Sequence, residues 1–214
     1  TSLHWAVEGT GIIGLPFPGV EIKMVPNGGK FELRVRGPIV TPGYVKRPDL
    51  TATAFDEEGF YKIGDAGRLV DPEDASKGLI FDGRVVEDFK LDTGTFVHVG
   101  SLRVASIAAA APAIQDAVVC GHDRAYVGLL AWPNLAACRE LCTDPAAKDN
   151  LAGLLRSPAV IEHVRASLQR YNQKNPGSST RVARVLLMSE PPSIDGNEIT
   201  DKGYINQRAA LDRR

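Results

Sequence analysis

The sequence predicts an α+β protein built in two parts. Short β-type runs separated by Gly and Pro fill the chain up to Gly83, the pattern changes near Gly83-Arg84, and hairpin, helix and strand patterns then alternate to the C-terminus. With 214 residues the chain is long enough for one large or two small domains, each with a core of its own.

In the first part, residues 20–25 and 31–36 read as two strands joined by the turn cluster Pro26-Asn27-Gly28-Gly29-Lys30. Further punctuation at Gly37-Pro38 and Thr41-Pro42-Gly43 predicts a small β-barrel or sheet rather than a helical unit. Past Arg84, residues 89–97 read as a second hairpin turning near Asp92-Thr93-Gly94-Thr95, and the alanine-rich stretch 102–111 as a helix ended by Pro112. Residues 117–120 and 127–132 are strand candidates on either side of Gly121-His122-Asp123-Arg124. From Ser157, the residues Val160, Ile161, Val164, Leu168 and Tyr171 recur at helical spacing, with Ser157-Pro158 as cap and first turn. Further helices are expected around it, then a strand at 184–188, a break at Pro191-Pro192 and a last helix at 203–211.

Composition narrows the function classes. Hydrophobic residues make up 43% and charged residues 24%, a balance that predicts a folded chain. Lys and Arg total 25 against 26 Asp and Glu, so the net charge of -1 offers no field that would gather nucleic acid or an anionic membrane surface. No apolar run approaches the roughly 20 residues that span a bilayer, so no membrane insertion is expected. Cys120, Cys138 and Cys142 lack metal-ligand spacing, predict no metal site and read as reduced thiols of a cytoplasmic protein. The chain starts at Thr1 without a signal-peptide pattern and reads as a fragment or an expressed domain.

Three segments stand out as chemistry: Gly59-Phe60-Tyr61-Lys62-Ile63-Gly64-Asp65, then Asp82-Gly83-Arg84-Val85-Val86-Glu87-Asp88-Phe89-Lys90, then Gly196-Asn197-Glu198-Ile199-Thr200-Asp201-Lys202-Gly203. An aspartate after glycine at a strand end can offer both carboxylate oxygens to a diol, so Asp65 suits a ribose; the plainer alternative is an Asx-turn. Arg84 follows a turn glycine, where its forked donors could meet ribose or phosphate oxygens, or pair on the surface with Glu87 or Asp88. Lys202 lies in a glycine-flanked loop before a helix, and its ammonium could reach a cleft or remain one more solvated lysine. About 3 Å from a phosphoryl oxygen, such a charge gains roughly 5 kcal/mol of gross attraction at an effective dielectric near 20.

The order of these segments resembles the adenylate-forming superfamily of acyl-CoA synthetases, peptide-synthetase adenylation domains and luciferases. Pro42-Gly43-Tyr44-Val45-Lys46-Arg47-Pro48-Asp49-Leu50-Thr51-Ala52-Thr53-Ala54-Phe55 looks like that superfamily's segment ahead of its ribose-binding Asp, and the likeness covers essentially the whole chain. Residues 89–97, 117–124 and 197–203 look most like feruloyl-CoA synthases. The resemblance implies that residues 1–83 are the C-terminal β subdomain of a large nucleotide- and acid-binding domain. Residues 84–86 are then a hinge, and residues 87–214 a small mobile catalytic domain.

It further implies an acid-CoA ligase that uses ATP with Mg2+, joins a carboxylic acid to AMP, and passes the acyl group to coenzyme A. In that scheme Asp65 holds the ribose hydroxyls, Arg84 contacts the ribose near the hinge, and Lys202 bridges acid and nucleotide oxygens. The small domain then turns about the hinge at Val86 and presents the hairpin of Lys90 and Gly94 to the thioester-forming site. Gly94 would suit close approach of a pantetheine arm, and it is equally a hairpin-turn glycine.

The sequence departs from the family pattern at three places. Val86 stands where relatives often carry Asp or Lys, so no charge-based hinge switch is expected. The turn at Asp92-Thr93-Gly94 is one residue longer than the usual one. His4 and Trp5 fall just after a family segment that this chain does not contain. Since no Ser/Thr/Gly-rich phosphate loop occurs either, the chain by itself is expected not to adenylate. The alternatives are a ligase for another aromatic or fatty acid, and a non-catalytic interaction module on the same fold.

Overall fold

A computed structural model describes residues 1–3, 5–6 and 11–214, so His4 lies outside the described residues. The chain divides into two units, Thr1–Val86 and Glu87–Arg214.

The first unit is organised by antiparallel pairing. Its strands are β1 (Ile12–Gly14), β2 (Glu21–Asn27) and β3 (Lys30–Arg36), followed by a short helix α1 (Pro48–Ala54), then β4 (Tyr61–Leu69) and β5 (Leu79–Arg84). They form one five-stranded sheet in the order β1-β5-β4-β3-β2, which meets the β-rich expectation for this part. Asn27 pairs with Lys30, leaving Gly28 and Gly29 as a two-residue turn, and both carry positive φ (61° and 88°). That is the backbone a tight hairpin needs and that glycine adopts without a side-chain clash. Leu33, Ala66 and Leu79 on its strands and Phe60 just before β4 are buried. The helix α1, with no buried residue, falls within the segment expected to be β-structured or irregular; Pro48 at its first turn starts it.

The second unit opens with the hairpin β6 (Phe89–Lys90) and β7 (Phe96–Val97) and the helix α2 (Val99–Ala109). Then come β8 (Ile114–Cys120), β9 (Val127–Pro133), α3 (Leu135–Leu141), α4 (Pro145–Lys148), α5 (Leu151–Arg156), α6 (Pro158–Lys174), β10 (Val182–Leu187) and α7 (Gln207–Arg213). A three-stranded sheet runs β10-β9-β8, antiparallel between β8 and β9 and parallel between β9 and β10. Val119, Val127 and Leu129 pack with Val160, Val164 and Leu168 in one core cluster. The last three repeat at helical spacing along one side of α6.

The helix α6 starts as expected, with Ser157 at its cap position and Pro158, which supplies helical φ and no orphan N–H, in its first turn, although Ser157 makes no side-chain cap bond. Two other helices start away from the expected residue. The helix expected at 102–111 spans Val99–Ala109. The last helix begins at Gln207, not at 203, because Asn206 caps it by accepting from the Ala209 N–H. Residues 199–205 instead close on themselves through a bridge between Ile199 and Ile205. The buried Gln207 accepts from the Val119 N–H (3.1 Å) and donates to its carbonyl (2.5 Å), docking α7 on β8. Among the described residues no helix is long and apolar enough to cross a membrane.

Candidate functional site

Asp65 and Arg84 meet in the first unit. Asp65 lies within β4 and Arg84 ends β5, and the two stand opposite one another in the strand register, beside an irregularity between Asp65 and Gly67. Asp65 is thus inside a strand rather than at its end, and its carboxylate makes an ion pair, not an Asx-turn: Arg84 Nε lies 3.2 Å from Oδ1. Arg84 finds its partner across the strands; in the second unit, Asp88 binds the His98 ring and the Val99 N–H.

Both side chains stay within reach of solvent, at 35% exposure for Asp65 and 50% for Arg84. The pair therefore presents acceptor oxygens and forked donors side by side, which suits hydroxyls on adjacent ring carbons. Burial pushes the Asp65 carboxyl above its ordinary value, and the Arg84 guanidinium pulls back only part of that shift. With its folded pKa raised, Asp65 favours the fold most fully below the unfolded pKa and loses this as pH rises through the folded value. Asp65→Asn should therefore raise the neutral-pH melting midpoint. Calorimetry checks this; a lower midpoint would mean that the ion pair with Arg84 outweighs the burial of the carboxylate.

Gly64 explains why Val86 matters locally. A Cβ on Gly64 would come 2.8 Å from Val86 Cγ1, and the residue has φ +75°, so side-chain-bearing residues fit poorly there. Val86 itself is 65% exposed and makes no polar contact that could switch with charge.

In the second unit, Lys90 and Gly94 sit on the β6–β7 hairpin. Lys90 places its ammonium 4.7 Å from the Phe96 ring centre, and Gly94 lies at the tip with open space around it. Backbone bonds from Asp92 N–H to Arg124 O and from Asp123 N–H to Lys90 O tie this hairpin to the turn at Gly121–Arg124. Two segments singled out separately in the sequence are thus neighbours.

Lys202 projects from the tip of the loop 199–205. The Thr200 N–H donates to Tyr204 O (2.8 Å), the Gly203 N–H to Thr200 O (2.9 Å), and the Tyr204 N–H to Thr200 Oγ1 (3.2 Å). Lys202 is exposed, and among the described residues no carboxylate pairs with it. The base of the loop is anchored by Glu198, which is fully buried. Its carboxylate accepts from Arg214 Nε (2.7 Å) and Nη2 (3.0 Å) and from the Ser193 N–H (2.7 Å). Arg214 in turn lies over the Trp132 ring at 5.5 Å. No local signal marks this anchor, since a lone glutamate in a polar loop reads as solvated and its partner is sixteen residues away.

Among the described residues no three His, Cys, Asp or Glu side chains converge as a metal site.

Residues 101–213 match the family model for the AMP-binding enzyme C-terminal domain. The probable acyl-activating enzyme 16 of Arabidopsis thaliana is 26% identical over 95% of this chain and 30% of its own length. A long-chain-fatty-acid–acyl-carrier-protein ligase of the same plant is 28% identical over 89% of this chain and 26% of its own length. Among solved structures, the adenylation domain of a carboxylate reductase from Mycobacterium chelonae superposes with a TM-score of 0.66 at 26% identity, covering 91% of this chain and 29% of that one. The didomain of a carboxylic acid reductase from Segniliparus rugosus gives 0.71 at 24% identity, over 94% of this chain and 27% of that one, a likeness of fold. The chain spans under a third of the length of each.

Proposed function

Because the chain belongs to the AMP-binding enzyme C-terminal domain family, we propose that it is the C-terminal part of an ATP-dependent acid ligase that forms an acyl-AMP and passes the acyl group to coenzyme A. The observation that carries this reading is Lys202, displayed without a carboxylate partner among the described residues on a loop whose base is fixed by a buried ion pair. A cation held out in this way is available to a substrate anion.

Asp65 accepts from the two ribose hydroxyls and Arg84 donates to ribose oxygens, a division of roles that follows from acceptor-only and donor-only side chains. As the substrate carboxylate attacks the α-phosphorus and pyrophosphate leaves, Lys202 stands against the oxygens on which charge gathers. The hinge lies at Val86 and turns without a charged switch. The second half-reaction needs an open path for a thiol to the acyl carbon, and the Lys90–Gly94 hairpin offers its uncluttered tip to a pantetheine arm.

The acid is a hydroxycinnamate such as ferulate. A second reading is favoured by the relative named as a long-chain-fatty-acid–acyl-carrier-protein ligase: the acid is then fatty and the acceptor thiol sits on a carrier protein. Incubating the full-length protein with ATP and either ferulate or palmitate, each with CoA or a carrier protein, separates the two. Feruloyl-CoA as the fastest product is the expected result; acyl-carrier protein from palmitate alone would overturn it.

A further inference from the structure

The strand β10 is paired on one side only. It forms one edge of its sheet, joined to β9, and the side away from β9 borders a groove of about 680 Å³ walled by α5 and α6. At the start of the strand, Asn172 of α6 does what a neighbouring strand would do: its amide accepts from the Val182 N–H (2.9 Å) and donates to the Val182 carbonyl (2.7 Å). From Ala183 to Leu187 no further strand among the described residues covers the edge, a length of roughly 16 Å.

The walls are chemically distinct. Leu155, Ile161, Val164 and Leu168 line the helical side, and Ile161 is 46% exposed. Leu186, at 58% exposure, stands on the strand. Three arginines, Arg156, Arg165 and Arg184, border the same groove, and none of its lining residues is Asp or Glu. Arg165 pairs with Glu162, Arg184 lies over the Tyr126 ring at 5.0 Å, and neither Arg156 nor Arg184 has a carboxylate partner among the described residues. An edge strand facing a helix across an apolar trough is the arrangement in which an extended peptide adds itself to a sheet, with main-chain bonds giving affinity and alternate side chains giving specificity.

We propose that this groove binds an extended acidic peptide, which adds to β10 as a further strand. Its apolar residues enter the trough against α6, and its alternate carboxylates meet Arg156 and Arg184. The charge of the groove chooses the occupant: two arginines that have no carboxylate partner among the described residues, beside an open edge, repel basic segments and attract acidic ones.

The test uses a fluorescein-labelled peptide Glu-Val-Glu-Leu-Glu-Val-Glu and its counterpart with every Glu replaced by Lys. Anisotropy should show the acidic peptide binding this chain at least about tenfold more tightly than the basic one. Arg184→Glu and, separately, Arg156→Glu should each weaken it by about tenfold or more. Methylating alternate peptide nitrogens should abolish binding, and amide resonances of residues 183–187 should move on titration. Equal binding of both peptides, indifference to both variants, or shifts confined to other residues would overturn the proposal. So would a chain that sediments as a dimer with residues 183–187 protected, which would assign the edge to a second copy.

Discussion

Replacing Lys202 by Ala in the full-length protein is expected to slow acyl-adenylate formation by about 10²–10³-fold, the loss seen when one aimed donor to a developing charge is removed. The same variant should convert preformed acyl-adenylate to thioester at close to the normal rate. Lys202 stands at a loop tip, makes no ion pair among the described residues and supports no core contact, so its removal leaves the fold intact. A split between the half-reactions is therefore a statement about chemistry. Pyrophosphate exchange reads the first half-reaction and thiol consumption with acyl-AMP reads the second. Unchanged rates in both would favour a non-catalytic module on the same fold.

The largest effect on stability is expected at Glu198. Glu198→Gln takes from the Arg214 guanidinium, whose side chain is 7% exposed, its closest and two-pronged carboxylate partner, and leaves it only the more distant Glu190 at 3.4 Å. Breaking such a pair from one side costs about 2–3 kcal/mol near a surface, or roughly 6–10 °C in the melting midpoint of a unit this size. Arg214, together with the Ser193 N–H and Arg213, holds the Glu198 carboxyl below its ordinary value of 4.5 despite burial. A lowered carboxyl pKa gives stability that is present above the unfolded value and lost as pH falls through the folded one. Wild type should thus lose stability below pH 4.5 more steeply than Glu198→Gln, and the two curves should converge in acid. Denaturant titrations across pH 3 to 7, each about one unit apart, measure the gap. A constant gap at every pH would mean that the carboxylate's charge contributes nothing.

Much of this architecture was legible where local chemistry agrees with the tertiary outcome. Gly28-Gly29 can only be a tight turn between β-type runs, and the Val160, Val164, Leu168 spacing with Pro158 in front leaves little choice but α6. The short helices α3, α4 and α5 have no such periodicity, yet each carries a capping side chain as its start signal. Asn134, Asp144 and Asn150 accept from the N–H groups of Ala137, Ala146 and Ala152.

The site was half legible. Asp65 and Arg84 stood out as residue types, but their pairing is a property of the β4–β5 register, which no short window contains. Glu198 was invisible for the same reason. Its burial depends on Arg214, Ser193 and a loop folded back on itself, so its type and its neighbours in sequence both pointed to water.

The central claim is that these residues complete an acid-activating ligase. It is tested most directly by acid-dependent exchange of labelled pyrophosphate into ATP, measured on the full-length protein, on Asp65→Ala, and on the chain of residues 1–214 alone. Exchange that requires a carboxylic acid, falls sharply in Asp65→Ala, and is absent from the isolated chain is the expected result. Full-length protein that exchanges no pyrophosphate with any acid offered, or Asp65→Ala that exchanges at the wild-type rate, would contradict it.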